Sequence, residues 1–138
     1  MTNALFNVAR HNMATGSFNW YELDVVVTAW SGPYVFDETH TVAGNIVAAG
    51  GIHIARSIPN VAMGVTPEGI VQTAKYLLPL VSIGPPIVFL TLASVGATPS
   101  TDALIAYYDD GEGLPYTPKG LDVIVQPDWL SQRGWFRP

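Results

Sequence analysis

The chain contains no cysteine, which excludes disulfides, thiolate metal sites and a cysteine nucleophile together. It is also poor in charge. Lys, Arg, Asp and Glu make up 12% of its 138 residues, about half the share usual in soluble domains. Positive charge is scarcest: six Lys and Arg, scattered singly from Arg10 to Arg137, face eleven Asp and Glu, for a net charge of -5. Such a distribution cannot neutralise a run of phosphates, so no nucleic-acid partner is expected. The opening MTNALFNVARHNMATG lacks the apolar core of a signal peptide. An uncharged stretch runs from Tyr76 to Thr101, long enough to cross a bilayer. Pro79, Gly84, Pro85, Pro86 and Pro99 interrupt it, and each interior proline costs a helix about 3 kcal/mol. Two buried strands around a proline bend are expected there, and no membrane partner.

What the chain has in plenty is apolar surface. Hydrophobic residues reach 49% and the mean hydropathy is +0.27. A monomer with so little charge leaves apolar surface for a partner to cover. The length fits a single domain over 1–138.

Residues Asn3 to Thr15 read as a short helix, capped by Thr2 or Asn3 and stopped by Gly16. From there the period becomes strand-like. Trp20 to Trp30 alternates as a half-buried strand, Ser31-Gly32-Pro33 turns, and Tyr34 to Phe36 follows as a short extended piece. Asp37 to Gly51 is ambiguous, with small residues and room for one helical turn. Ile52 to Ile58 alternates again. Thr66-Pro67-Glu68-Gly69 is a turn joining Val61–Val65 to Ile70–Ala74. Tyr76 to Ile83, Ile87 to Ala93, Leu104 to Tyr108, Leu121 to Val125 and Arg133 to Arg137 complete eight or nine strands. Turn signals every eight to twelve residues predict an all-β sandwich or barrel. Between Leu104–Tyr108 and Leu121–Val125 lies a linker of Asp, Gly and Pro with an acidic tip at Asp109, Asp110 and Glu112.

Little of this looks like chemistry. His11, His40 and His53 stand far apart, without a metal-ligand spacing. The acidic tip lacks the D-x-D-x-D-G pattern of a calcium loop. Two carboxyls on one turn do not face each other across a cleft as glycoside hydrolysis requires. No nucleophile elbow, P-loop or dinucleotide fingerprint is present. The expectation is a protein that is not an enzyme, with no cofactor and no metal.

The aromatics say more. Trp20 and Trp30 suit a core. The C-terminal 127–138, a tail or a last strand, carries Trp129, Arg133, Trp135, Phe136 and Arg137, the residue types that dominate interface hot spots. Together with Phe6 and Arg10 of the N-terminal arm (1–16), they are the candidate partner-binding residues.

Both ends of the chain carry a recognisable pattern. Asn3-Ala4-Leu5-Phe6-Asn7 with Arg10, then Gly16-Ser17-Phe18-Asn19-Trp20, is similar to a start of the type ANALYNKGR followed by Gly, an aliphatic residue and Trp. Tyr34-x-Phe36 and His40 sit where that pattern has Y-x-F and H. Leu104-Ile105-Ala106-Tyr107, Gly113-Leu114-Pro115, Thr117-Pro118 and Gly120-Leu121-Asp122-Val123-Ile124-Val125 resemble LIAYIDTATGLPVTPNGGDIIV, and Phe136-Arg137 resembles the ending IFRL. The family is one of small virion proteins of tailed phages, among them capsid cementing (decoration) proteins of short-tailed phages. Between Val61 and Ala93 this chain is more apolar and richer in proline than the family. The resemblance implies a jelly-roll-like β-sandwich behind a short N-terminal helix. It also implies a homodimeric clamp on the outer capsid surface of the virion, made in the host cytoplasm and bound to the major capsid protein. Three other readings remain: a tail, baseplate or fibre component, a carbohydrate-binding sandwich using exposed Trp, and an enzyme depending on one of the histidines.

Overall fold

The computed structural model describes residues 3–16, 25–57, 64–65, 71–72, 76–78, 84–109, 116–120 and 123–125. Its centre is an open five-stranded antiparallel sheet. The strands are β1 (Asn3–Leu5), β2 (Val25–Ser31), β3 (Ile52–Ser57), β7 (Phe89–Ser94) and β8 (Ala103–Tyr108), in the order β1-β8-β7-β2-β3. Two helices accompany them, α1 (Asn7–Ala14) and α2 (Ala43–Ala48), with a 3-10 turn at Pro99–Thr101. Two short ladders stand apart from the sheet: β4 (Gly64–Val65) with β5 (Val71–Gln72), and β6 (Tyr76–Leu78) with β9 (Val123–Val125).

This is a small mixed α/β fold, and it overturns the expected all-β jelly-roll-like sandwich. A jelly roll needs a second sheet facing the first. Here the main sheet packs against helices and an extended strap, and the remaining ladders have two strands each. Strand spacing along a chain cannot reveal which strands pair, and that is where the expectation failed. The expected helix over Asn3–Thr15 is also corrected. Its first three residues form β1, because their backbone groups are taken by β8 through Asn3↔Tyr108 and Leu5↔Ala106. The helix begins only at Asn7, and Gly16 ends it at φ +76°. Of the expected strand Trp20–Trp30, the part from Val25 on is strand in β2, and residues 17–24 lie outside the described set. All seven β2 residues are buried, where a half-buried strand was expected, because β2 is covered on both faces.

Alternation along the strands separates two cores. On one face, Val25, Val27, Ala29, Leu92 and Ala106 pack with Ile87, Ile105 and Ala9 of α1. On the other, Trp30, Phe89, Leu104 and Tyr107 pack with Phe6, Tyr34, Ala43 and Ile46. The ambiguous Asp37–Gly51 segment resolves into an extended strap and α2. The Asn45 side-chain carbonyl starts that helix by accepting from the backbone N–H of Thr41 and Val42 at 3.0 and 3.1 Å. At the strap's entrance Gly32 holds φ +93°, and a Cβ there would come within 2.6 Å of the Gly50 carbonyl oxygen. Only glycine fits that corner.

The expected hairpin around Thr66–Gly69 has its flanking strands paired, with Val65 opposite Val71, while its turn lies outside the described residues. No helix among the described residues is long and apolar enough to cross a membrane.

Candidate functional site

The strap begins where β2 ends and runs over the aromatic face of the sheet. Tyr34 and Phe36 turn inward while Val35 between them stands 82% exposed. This is strand-like alternation without a pairing partner, which is why the segment reads as extended yet joins no ladder. Phe89 is the hub beneath it, its ring centroid 5.3 Å from Tyr34, 5.1 Å from Tyr107 and 6.0 Å from Trp30. Phe36 lies 5.0 Å from both Phe6 and Tyr107. Offset and tilted ring pairs at these separations are the geometry aromatic quadrupoles favour.

Each polar tip in the cluster finds a partner. The Trp30 indole N–H donates to the Thr91 hydroxyl at 2.8 Å, both residues being buried. The Tyr107 hydroxyl donates to Asp109 at 2.9 Å; burial first, and then the carboxylate beside it, push that phenol up. The Tyr34 hydroxyl lies 2.7 Å from His40 Nδ1 and accepts from the Asp37 backbone N–H at 3.3 Å. The imidazole tautomer sets which of the two donates, and the other ring nitrogen, Nε2, faces the Asp37 carboxylate at 3.6 Å. Asp37 also accepts from the backbone N–H and hydroxyl of Thr39, at 2.9 and 2.6 Å. Those two bonds hold its carboxyl below the ordinary range.

Tyr34, His40 and Asp37 therefore line up hydroxyl, imidazole and carboxylate, the order a nucleophilic relay uses. The chemistry runs the other way. Tyr34 is only 7% exposed, and burial raises its phenol, so the hydroxyl is neither accessible nor activated. The line acts as a clasp that pins the strap to the sheet. A second clasp ties it to α1: the Asn7 N–H donates to the Glu38 carbonyl at 2.9 Å, and Arg10 reaches the Glu38 carboxylate at 3.3 Å.

Across the same face lies a buried ion pair. Arg56 of β3 grips Asp102 with two bonds, Nε at 2.8 Å and an Nη at 2.9 Å, and the Gly96 N–H donates to the same carboxylate at 2.9 Å. Asp102 is 1% exposed. Gly96 is required there, since a Cβ would fall 2.5 Å from the Thr101 carbonyl oxygen.

Of the candidate partner-binding residues, Phe6 is fully buried within the aromatic cluster and has no ring surface to offer. Arg10 is on the surface, paired with Glu38. Trp129, Arg133, Trp135, Phe136 and Arg137 lie outside the described residues, as do Asp110 and Glu112 of the acidic tip. His11 is exposed on α1, His40 belongs to the strap clasp, and His53 meets the Trp30 ring. Among the described residues no three His, Asp or Glu side chains gather as a metal set. Tyr34, His40 and Arg10 were noted in the sequence, but not their joining with Asp37 and Glu38 as clasps. Asp37-x-Thr39 was a readable turn signal, but Arg56 and Asp102, 46 positions apart, carry none. Comparison of the chain with protein-family models, with curated proteins and with solved structures gives no match.

Proposed function

We propose that this chain is a structural virion protein that binds the outside of a tailed-phage head and cements its major capsid subunits. The observation that carries the reading is the meeting of three separated stretches. Phe6 at the start of the chain, Tyr34, Phe36 and His40 in the middle, and Leu104 and Tyr107 near the end are the residues on which the resemblance rests, and they pack into one cluster. Patches alike only in composition have no reason to meet in space. The meeting of these three supports the resemblance as one of local packing, apart from the jelly-roll architecture, which this chain does not have.

The physical logic suits a cement. A brace needs rigid, satisfied polar groups rather than an activated one, and both clasps hold chain segments in place. Each copy can bind modestly, because repeated contact with a fixed shell raises effective affinity. A two-fold homodimer would match the two-fold and quasi-two-fold axes of such a shell.

The experiment mixes the purified chain with undecorated heads, expanded and unexpanded, and follows co-sedimentation and the temperature of shell rupture. Saturable binding and a higher rupture temperature are expected. Deleting Trp129–Pro138 is expected to lower occupancy while the sheet stays folded by circular dichroism. A monomer that binds neither head form would overturn the proposal.

A further inference from the structure

A bulge decides which side chains of β3 share a face. Strict alternation along Ile52–Ser57 would put His53 and Arg56 on opposite sides. The ladder with β2 instead pairs Thr28 with Arg56, Ala29 with Ala55 and Trp30 with His53, leaving Ile54 as the extra residue. His53 and Arg56 therefore lie on one face, beside Trp30 and Thr28. The imidazole meets the indole ring at 5.5 Å and 83°.

One charge of each sign bears on it, and the effect of Arg56 outweighs that of Asp102. Among the described side chains, those that bear on His53 are Arg56 on its own strand and Asp102 at the head of β8, while β2 faces it with uncharged Trp30 and Thr28. Asp102 is the one carboxylate of the group, and it is engaged by both Arg56 bonds and by Gly96. We propose that His53 is a proton-operated latch on the β3 edge. Neutral, it covers the Trp30 ring and lets β3 lie against β2; charged, it opposes Arg56 across one face and β3 loosens. The residue is exposed, so the proton arrives from solvent without prior unfolding.

The direction follows from the surroundings. Burial first, and the Arg56 charge second, hold the imidazole below the ordinary histidine range, against a weaker pull from Asp102. The folded chain then binds fewer protons at this site than the unfolded one. Stability from neutral His53 is fully present above about pH 6.5, the ordinary histidine value, and is lost as pH falls through it toward the lowered folded value.

The test is an NMR titration of the His53 Cε1–H in the full chain from pH 8 to 5, assigned with His53→Gln. Amide exchange of β3 and β7 is followed over the same range. Once intrinsic rates are removed, β3 protection is expected to fall roughly three- to tenfold, tracking a His53 titration below the ordinary range, with β7 unchanged. His53→Gln is expected to abolish that fall. A His53 pKa at or above the ordinary value, flat β3 protection while His53 titrates, or an equal loss in His53→Gln would each overturn the latch. The first two outcomes are read on the unsubstituted chain, so a variant that does not fold leaves the decision intact.

Discussion

The two faces of the central sheet are built from different materials. One is aliphatic and small: Val25, Val27, Ala29, Leu92 and Ala106 meet Ala9 of α1, and none of them brings a polar atom. The other is aromatic, with Trp30, Tyr34, Phe89 and Tyr107 at its centre, and three of those four rings carry a polar tip. The centre of the aliphatic face can be satisfied by shape alone, with the tyrosines Tyr108 and Tyr116 packing at its margin. The aromatic face must also place Thr91, His40 and Asp109 within hydrogen-bond reach, and it draws the strap, with its clasp, into the core. The lesson is that large rings bury more area per residue but commit the surrounding chain to a polar geometry.

The comparison breaks most sharply at Phe89. Phe89→Ala removes the ring that Trp30, Tyr34 and Tyr107 share and is expected to cost about 3–5 kcal/mol in chemical denaturation. Leu92→Ala on the opposite face should lie lower in its range of about 2–5 kcal/mol, since small neighbours can close part of the gap. If the two costs are equal, the aromatic face has no special role. Next comes Asp102→Ala, which strands the Arg56 guanidinium and the Gly96 N–H; a loss of about 2–4 kcal/mol is expected, and Asp102→Asn should recover part of it.

Thr91→Val keeps shape and removes only the acceptor for the Trp30 indole. It should cost about 1–3 kcal/mol and shift the Trp30 emission, whereas a volume-matched swap among the valines of the aliphatic face should leave the spectrum unchanged. The smallest effect at neutral pH is that of the phenols. Tyr34 and Tyr107 are both raised by burial, so the folded chain holds those protons more tightly than the unfolded one. The stability they contribute is fully present below about pH 10 and is lost as pH rises through the folded values. Absorbance at phenolate wavelengths should show both ionising only as the chain unfolds in alkali.

Much of the local structure was legible. β3 and β8 were readable as strands, though a bulge breaks the alternation expected of β3, and the pairing of β4 with β5 was readable from the Thr66–Gly69 turn chemistry. The stop of α1 was readable from Gly16. What could not be read depends on contacts between distant residues. Asn3–Leu5 carries a helix-compatible sequence and becomes a strand only because β8 is there to pair with it. The α2 stretch, AGNIVA, has no apolar period to announce a helix. Its signal is the backward reach of Asn45, a contact invisible to pattern. The bulges at Ile54 and Ile105 shift register by one residue, and no local composition marks them. The site fared similarly: Trp30 was expected in the core and lies there, but Phe6, expected at a partner surface, also went to the core.

The pairing of β1 with β8 has a consequence for how the molecule is made. Asn3 sits opposite Tyr108, so β1 must wait for β8, the last strand of its sheet in chain order. Until then its backbone amides have only water for company, and the sheet cannot close at that end. Long-range closure of this kind slows folding toward milliseconds to seconds and leaves an open margin during synthesis. A nascent chain halted before Ala103 should therefore lack the whole sheet's cooperativity, and completion should arrive in one late step.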